Sequence, residues 1–231
     1  MLVHGALDRA SSFGRVVRRL GGLTVVTYDR RGYQHSRRAA VATDGTLRSH
    51  VADLLALVGD GPDVVVGHSY GGTVALTAAA ESRAIRAVGA FEPPLQWLEW
   101  WPRRQTAAEV RAQDPADFAE AFFRRVAGSR SWDRLSARGR TERRSDGPAL
   151  AAELAELAEM PPPFDPADLD IPVVLGRGEH SYERHRRGVA ELAEDLPHAE
   201  VFEIKGARHG AHLLNPGAFA RFVARAVELA Q

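Results

Sequence analysis

Along the chain, short runs dense in β-branched residues alternate with longer stretches whose apolar positions recur every three or four residues. The first pattern predicts strands at Met1–Val3, Leu23–Tyr28, Asp63–Val66, Ala84–Phe91, Ile171–Leu175 and Ala199–Ile204. The second predicts amphipathic helices: Phe13, Val16, Val17 and Leu20 form one apolar stripe, and Leu47, Val51, Leu54, Leu55 and Val58 form another. Strands that alternate with helices predict an α/β fold, a mostly parallel sheet covered by helices on both faces.

The alternation stops between Pro93 and Asp168. This stretch is helix-like and arginine-rich, is bounded by Pro93-Pro94 and Pro161-Pro162-Pro163, and carries a stripe at Leu150, Leu154 and Leu157. It predicts a helical cap over 94–167, inserted into a core made of 1–93 and 168–231. No internal repeat or low-complexity tract interrupts the plan. The Leu23–Tyr28 strand would be an open edge, which invites a second copy of the chain (a homodimer) or an upstream extension to cover it.

Composition narrows the function classes. The 231 residues are 45% hydrophobic and 26% charged, as in an ordinary globular protein with a sizeable core. Thirty Lys and Arg cancel thirty Asp and Glu, so no net field draws in nucleic acid or an anionic membrane, and a small molecule is the expected partner. Lys205 is the only lysine. The absence of cysteine excludes disulfides, thiolate metal sites and thiol catalysis. No apolar run is long enough to span a bilayer and the N-terminus lacks a signal-peptide plan, so a cytoplasmic location is expected. No ligand spacing for a metal and no phosphate-binding glycine loop is apparent, so no cofactor is implied.

The candidate chemistry lies in Val64-Val65-Val66-Gly67-His68-Ser69-Tyr70-Gly71-Gly72, a strand, then G-x-S-x-G, then a helix of small residues from Thr73 to Ala80. A sharp strand-to-helix turn holds a serine in a strained, exposed conformation, so the neighbouring positions must lack bulk, and Gly67 and Gly71 meet that need. The helix N-terminus beneath Ser69 favours developing negative charge. Acyl transfer also needs two backbone N–H donors for an oxyanion. Tyr70 offers one, and Ala6 or Leu7, after His4-Gly5, offers the other.

A general base follows from position. His209 lies after the last strand and before the Asn215-Pro216 helix start, where a loop can present an imidazole to Ser69; His212 is the runner-up. His68 reads as structural, and His35, His50, His180, His185 and His198 as surface or core residues. Two carboxylates sit at strand ends. Glu92 follows Val88–Phe91 and is fixed by two prolines, which makes it the preferred acid, while Glu179 in a polar, arginine-rich turn is the alternative. Glu153, Glu156 and Glu159 read as surface-helix residues outside the competition. Trp97, Trp100 and Trp101, with Phe118, Phe122 and Phe123, are candidates for an apolar substrate pocket, and each is equally readable as cap packing. Arg103, Arg104, Arg111, Arg124, Arg125, Arg143 and Arg144 read as a solvated face, with an anion site for a carrier-protein or phosphate-bearing substrate as the lesser alternative.

The segments LVHGA at 2–6, YDRRGY at 28–33, VVGHSYGG at 65–72, FEPPL at 91–95 and KGARHGAH at 205–212 resemble the α/β-hydrolase superfamily across the whole chain, and FEPPL with its tryptophans is similar to small hydrolases of actinobacterial type. The resemblance implies a hydrolase fold lacking its first two strands, with Asp29–Gly32 as a bracing loop. It places the acid after the FEPPL strand in some branches and after the next strand in most. It implies a serine hydrolase that cleaves a carboxylic ester or thioester of a small, largely apolar substrate through an acyl-serine. A lyase, cyclase or isomerase using the same triad as a base, and a non-catalytic member of the fold, are the rival expectations.

Overall fold

The computed structural model describes residues 1–37, 45–59, 63–102 and 105–231. Among these residues five strands, β1 (Leu2–Val3), β2 (Asp63–His68), β3 (Ile85–Phe91), β4 (Val173–Gly178) and β5 (Ala199–Ile204), form one sheet in the order β1-β2-β3-β4-β5, every pair parallel. The helices are α1 (Gly14–Val17), α2 (Leu47–Val58), α3 (Tyr70–Glu81), α4 (Ala107–Arg111), α5 (Pro115–Ala127), α6 (Ser129–Asp133), α7 (Ala137–Ser145), α8 (Gly147–Glu159), α9 (Glu183–Asp195), α10 (Ala211–Leu214) and α11 (Pro216–Leu229).

Strand order follows chain order, so right-handed crossovers put successive connections on one face. That face carries α2, α3 and α9, whose Leu54, Val74 and Val189 pack on Val65, Val88 and Leu175. The other face is closed by α1 and α11, where Val16, Phe219 and Phe222 cover Leu2, Val66 and Val174. The two-residue pleat is visible in the split: Val65 faces one layer and Val66 the other. Among the described residues no helix is long and apolar enough to cross a membrane.

Two local expectations are corrected. Leu23–Tyr28 is not a sheet strand. It meets β1 through a single bridge, Leu2 with Thr27, with Leu2 N donating to Val26 O at 2.9 Å. β1 spans only two residues and offers too few ladder positions to organise a longer neighbour. The Phe13–Leu20 stripe is likewise not one helix but a 3₁₀ turn (Ala10–Phe13) followed by the single turn of α1, since Gly21 and Gly22 follow directly.

Helices α4 to α8 lie between β3 and β4, and the described residues of 94–167 contain no strand. Carboxylates on α7 and α8 bind the core. Arg9 reaches Glu142 at 3.1 Å, Arg37 reaches Asp146 at 2.5 Å, and Leu47 N donates to Glu156 at 2.7 Å. The central contact is Arg30 with Glu153, 2.5 and 3.3 Å, both side chains wholly buried. Tyr33 donates its hydroxyl to the same carboxylate at 2.7 Å and His50 Nε2 lies 2.9 Å away. Glu153 is therefore no surface-helix residue: it sits within the apolar stripe of α8, one turn from Leu150 and Leu157. Burial alone would raise its carboxyl pKa, but Arg30, followed by His50, holds it down at about 2.

Removing one partner of a buried pair strands the other charge, so Glu153→Ala is expected to cost about 3–5 kcal/mol of stability in urea unfolding. The folded-state pKa lies below the ordinary 4.5, so this contribution is complete above pH 4.5 and is lost as pH falls toward about 2. Glu153→Gln should show a shallower loss of stability across that window, and an acid dependence identical to wild type would refute the assignment.

Candidate active site

The site forms where β2 and β3 end. Ser69 follows β2 with φ 55° and ψ −126°, a left-handed conformation that costs a non-glycine residue about 1–3 kcal/mol. Its backbone is held on both sides: Ser69 N donates to Phe91 O at 2.8 Å, and Ser69 O accepts from Gly72 N at 2.7 Å. A methyl group on Gly67 would strike the Gly71 carbonyl, and one on Gly71 would strike the Val3 and His4 carbonyls. This turn admits no side chain at either position. Ser69 is the N-cap of α3, which starts at Tyr70, so the first-turn N–H groups and the positive end of the helix lie at the serine.

Glu92 follows β3 in a second strained position, φ 48°, and is fully buried. Its N–H donates to Gly176 O at 2.9 Å, and its Oε1 accepts from Gly178 N at 2.7 Å. The remaining oxygen, Oε2, meets His209 Nδ1 at 2.7 Å. With Nδ1 engaged by a carboxylate, Nε2 is the His209 nitrogen left for the cleft that His209 and Ser69 both line. Glu179 is elsewhere. Its carboxylate accepts from Gly206 N at 2.7 Å, and its side chain is 44% exposed. His212 is not among the residues that line the cleft, and its Nε2 is bonded to Asp8 at 3.0 Å. Burial opposes the charge on Asp8, but the His212 hydrogen bond and charge hold its carboxyl below the usual range.

His68 supports His209 from behind. Its Nε2 donates to His209 O at 2.7 Å, and its ring lies 4.8 Å from that of His209 and 4.1 Å from that of His212. On the other side His185, from α9, stacks on His209 at 4.7 Å with 21° between planes, and Trp101 meets His185 edge-on. Sequence reasoning placed His185 only as a surface or core residue, and no local motif marks the stack. Among the described residues, two groups bring potential metal-ligand atoms within 4.8 Å of one another, Asp8 with His68 and His212, and Glu92 with His185 and His209. In both, one imidazole is already bonded to the carboxylate.

The Ala6 N–H is oriented by a chain of contacts. Gly5 O accepts from Arg30 Nη2 at 3.1 Å and from His4 Nδ1 at 2.9 Å. The trans peptide then turns the Ala6 N–H the opposite way. Ala6 and Tyr70 line the cleft together with Ser69. His4 Nε2 accepts from Arg30 N at 2.8 Å, which fixes the neutral tautomer, and burial followed by Arg30 keeps its pKa near 3.

The cleft has a volume of about 180 Å³. Trp101, Val110, Phe122, Leu154 and Leu157 give it apolar walls from the inserted helices and the segment before them. Trp97 and Trp100 are not part of it: Trp97 packs edge-on against Phe164, and Trp100 donates to Glu191 at 2.6 Å beneath Arg187. Phe118 is buried within the inserted helices and Phe123 packs on Trp132. The arginine face also divides. Arg143 donates to Leu7 O at 2.5 Å, Arg124 pairs with Glu120 and Asp133, and Arg125 lines the cleft. Arg103 and Arg104 lie outside the described residues.

Comparison with known proteins gives one family and one fold. A family model described as an alpha/beta hydrolase family matches residues 1–222. Lipase LipV of Mycobacterium tuberculosis (strain ATCC 25618 / H37Rv) is 31% identical over 157 residues, 68% of this chain, and the match spans only 56% of the lipase. A thermophilic esterase from Thermogutta terrifontis superposes with a TM-score of 0.78 at 22% identity, over 99% of this chain and 89% of the esterase. The enol-lactonase from Burkholderia xenovorans LB400 gives 0.77 at 20% identity, over 98% and 90%. At such identities the structural likeness establishes the fold.

Burial lowers the pKa of several histidines. Besides His4, His185 is held near 2 by burial and the charge of His209, and His68 lies well below 6.5. In the unfolded chain each binds a proton at about 6.5, so their contribution is complete above that pH and is lost as pH falls below it. Stability should decline between pH 6.5 and about 4. Unfolding of His185→Phe, which keeps a stacking ring, should take up about one proton fewer at pH 5 than wild type, as read from the pH slope of urea unfolding. An unchanged slope would count against a neutral His185.

Proposed function

The chain belongs to the alpha/beta hydrolase family, and on that premise we propose that it is an esterase-like hydrolase that cleaves a carboxylic ester or thioester through an acyl-serine. The observation that carries the proposal is the buried Glu92 carboxylate bonded to His209 Nδ1 at 2.7 Å, beside a strained Ser69 at the N-terminus of α3. A structural role alone does not call for strain at two adjacent strand ends.

In this reading Ser69 Oγ attacks the substrate carbonyl while His209 Nε2 takes its proton. The Ala6 and Tyr70 N–H groups donate to the tetrahedral oxyanion. As the intermediate collapses, the protonated imidazole gives its proton to the departing alcohol or thiol, leaving an acyl-serine. Water then adds to the acyl carbonyl with His209 again as base, and the carboxylic acid departs as Ser69 recovers its hydroxyl. Glu92 orients the imidazole throughout and stabilises its charged form. The inserted helices act as a cap that presents apolar walls to the acyl group, which excludes water and strengthens the electrostatics inside.

A fluorophosphonate should add once to the folded wild type, on Ser69, by intact mass. Ser69→Ala and His209→Ala should abolish the adduct. Glu92→Gln should lower kcat/KM on a simple aryl ester by about 10³-fold or more. An adduct that persists in Ser69→Ala, or a folded wild type that takes none, would overturn the reading.

A further inference from the structure

His209 lies in the turn between β5 and α10, outside any regular element. Two hydrogen bonds hold it: its carbonyl accepts from His68 Nε2 at 2.7 Å, and its Nδ1 meets Glu92 at 2.7 Å. A single bond at Nδ1 fixes a point on the ring and tolerates a range of tilts about it. Tilting moves Nε2, the nitrogen left for the cleft, because that atom lies across the ring from the anchored side. A misplacement of about 1 Å at a reacting atom costs about 10²-fold in rate. Something must therefore set the plane of this imidazole.

His185 is placed to do so. Its ring lies 4.7 Å from that of His209 with 21° between the planes, a stacked contact. It is the third residue of α9, its N–H donates to Tyr182 O at 2.9 Å, and Trp101 meets its ring edge-on at 5.5 Å. Trp101 is itself seated on α9, where a methyl group on Gly188 would meet its Cζ3 at 2.9 Å. The stacking ring thus rides on a helix and is wedged by a tryptophan. His185 is only 7% exposed, and its Nδ1 is buried with no hydrogen-bond partner among the described residues. A buried nitrogen that makes no hydrogen bond contributes nothing through its edge, so what the side chain presents to His209 is its face. Burial, then the charges of His209 and Arg184, keep the ring neutral. A neutral aromatic face attracts a cation lying over it, whereas a second charged imidazole would repel one.

We propose that His185 is a positioning residue for His209, its ring face fixing the plane of that imidazole and with it the direction of Nε2 toward Ser69. When Nε2 takes the proton of Ser69, the positive charge spreads over a ring already held flat against a neutral π face. This inference rests on the serine chemistry proposed above.

A small fluorophosphonate tests it on the full chain. Intact mass follows adduct formation and yields kinact, the rate constant at saturation, and KI, the half-saturating concentration. His185→Phe keeps a flat face and loses no hydrogen bond at Nδ1, so its kinact should stay within about twofold of wild type. His185→Leu fills the space without a ring, and His185→Ala empties it; both should lower kinact about three- to tenfold while KI moves less than about twofold. Rescue by His185→Phe and not by His185→Leu separates a ring face from mere bulk, and this pair decides even where His185→Ala fails to fold. Equal kinact in His185→Phe and His185→Leu, or a loss confined to KI, would overturn the positioning role while leaving the reactivity of Ser69 intact. No adduct on the folded wild type would overturn the serine reading itself.

Discussion

One guanidinium, wholly buried where the loop after β1 meets α8, holds the two walls of the cleft together. Arg30 donates to the carbonyls of His4 and Gly5 on the core side and to Glu153 on the inserted side, while its own N–H donates to His4 Nε2. A buried ion pair of this kind gains little net stability over an apolar substitute, so its value lies in position. It fixes the peptide that aims the Ala6 N–H, and the same side chain fixes the helix that supplies Leu154 and Leu157. Tyr33 and His50 complete the cluster around Glu153, so the core and the inserted helices share a polar network that works only when all its members are present.

A second constraint is backbone strain. β2 and β3 are neighbours in the sheet and each ends in a residue with positive φ, Ser69 at 55° and Glu92 at 48°. The two strained turns meet directly, since Ser69 N donates to Phe91 O. The sheet below over-determines both, with Val66, Phe91 and Val174 buried against α11. Rigid strands under two high-energy turns keep Ser69 and Glu92 at fixed separation without demanding rigidity of the loop that carries His209.

Much of this was legible in the sequence. The runs that became β2 to β5 are β-branched and bounded by turn residues, and Ser69 sits in a motif whose glycines have a steric reason. His209 could be placed because it follows the last strand. The choice between Glu92 and Glu179 was open because both end parallel strands, and a linear pattern does not say which loop meets the histidine. Glu153 was hidden in plain view: Leu150, Glu153, Leu154 and Leu157 share one face of α8, and a carboxylate inside an apolar stripe signals a buried partner. The stacking of His185 on His209 carried no such signal, because it joins elements far apart in the chain. Leu23–Tyr28 misled because β-propensity describes a residue's fit to a sheet, not the length of the strand it must pair with.

Strand order equal to chain order also sets a timetable. β1, β2 and β3 leave the ribosome in the order in which they pair, so the strained turn at Ser69 can be assembled early, against Phe91 and Gly72. The Glu92 carboxylate cannot be satisfied then, because Gly178 and His209 follow 86 and 117 residues later. Throughout synthesis of the inserted helices the nascent chain holds an acid destined for burial whose partners do not yet exist, so Glu92 must stay hydrated until β4 docks. The contact between Glu92 and His209 thus closes only after most of the chain has been made.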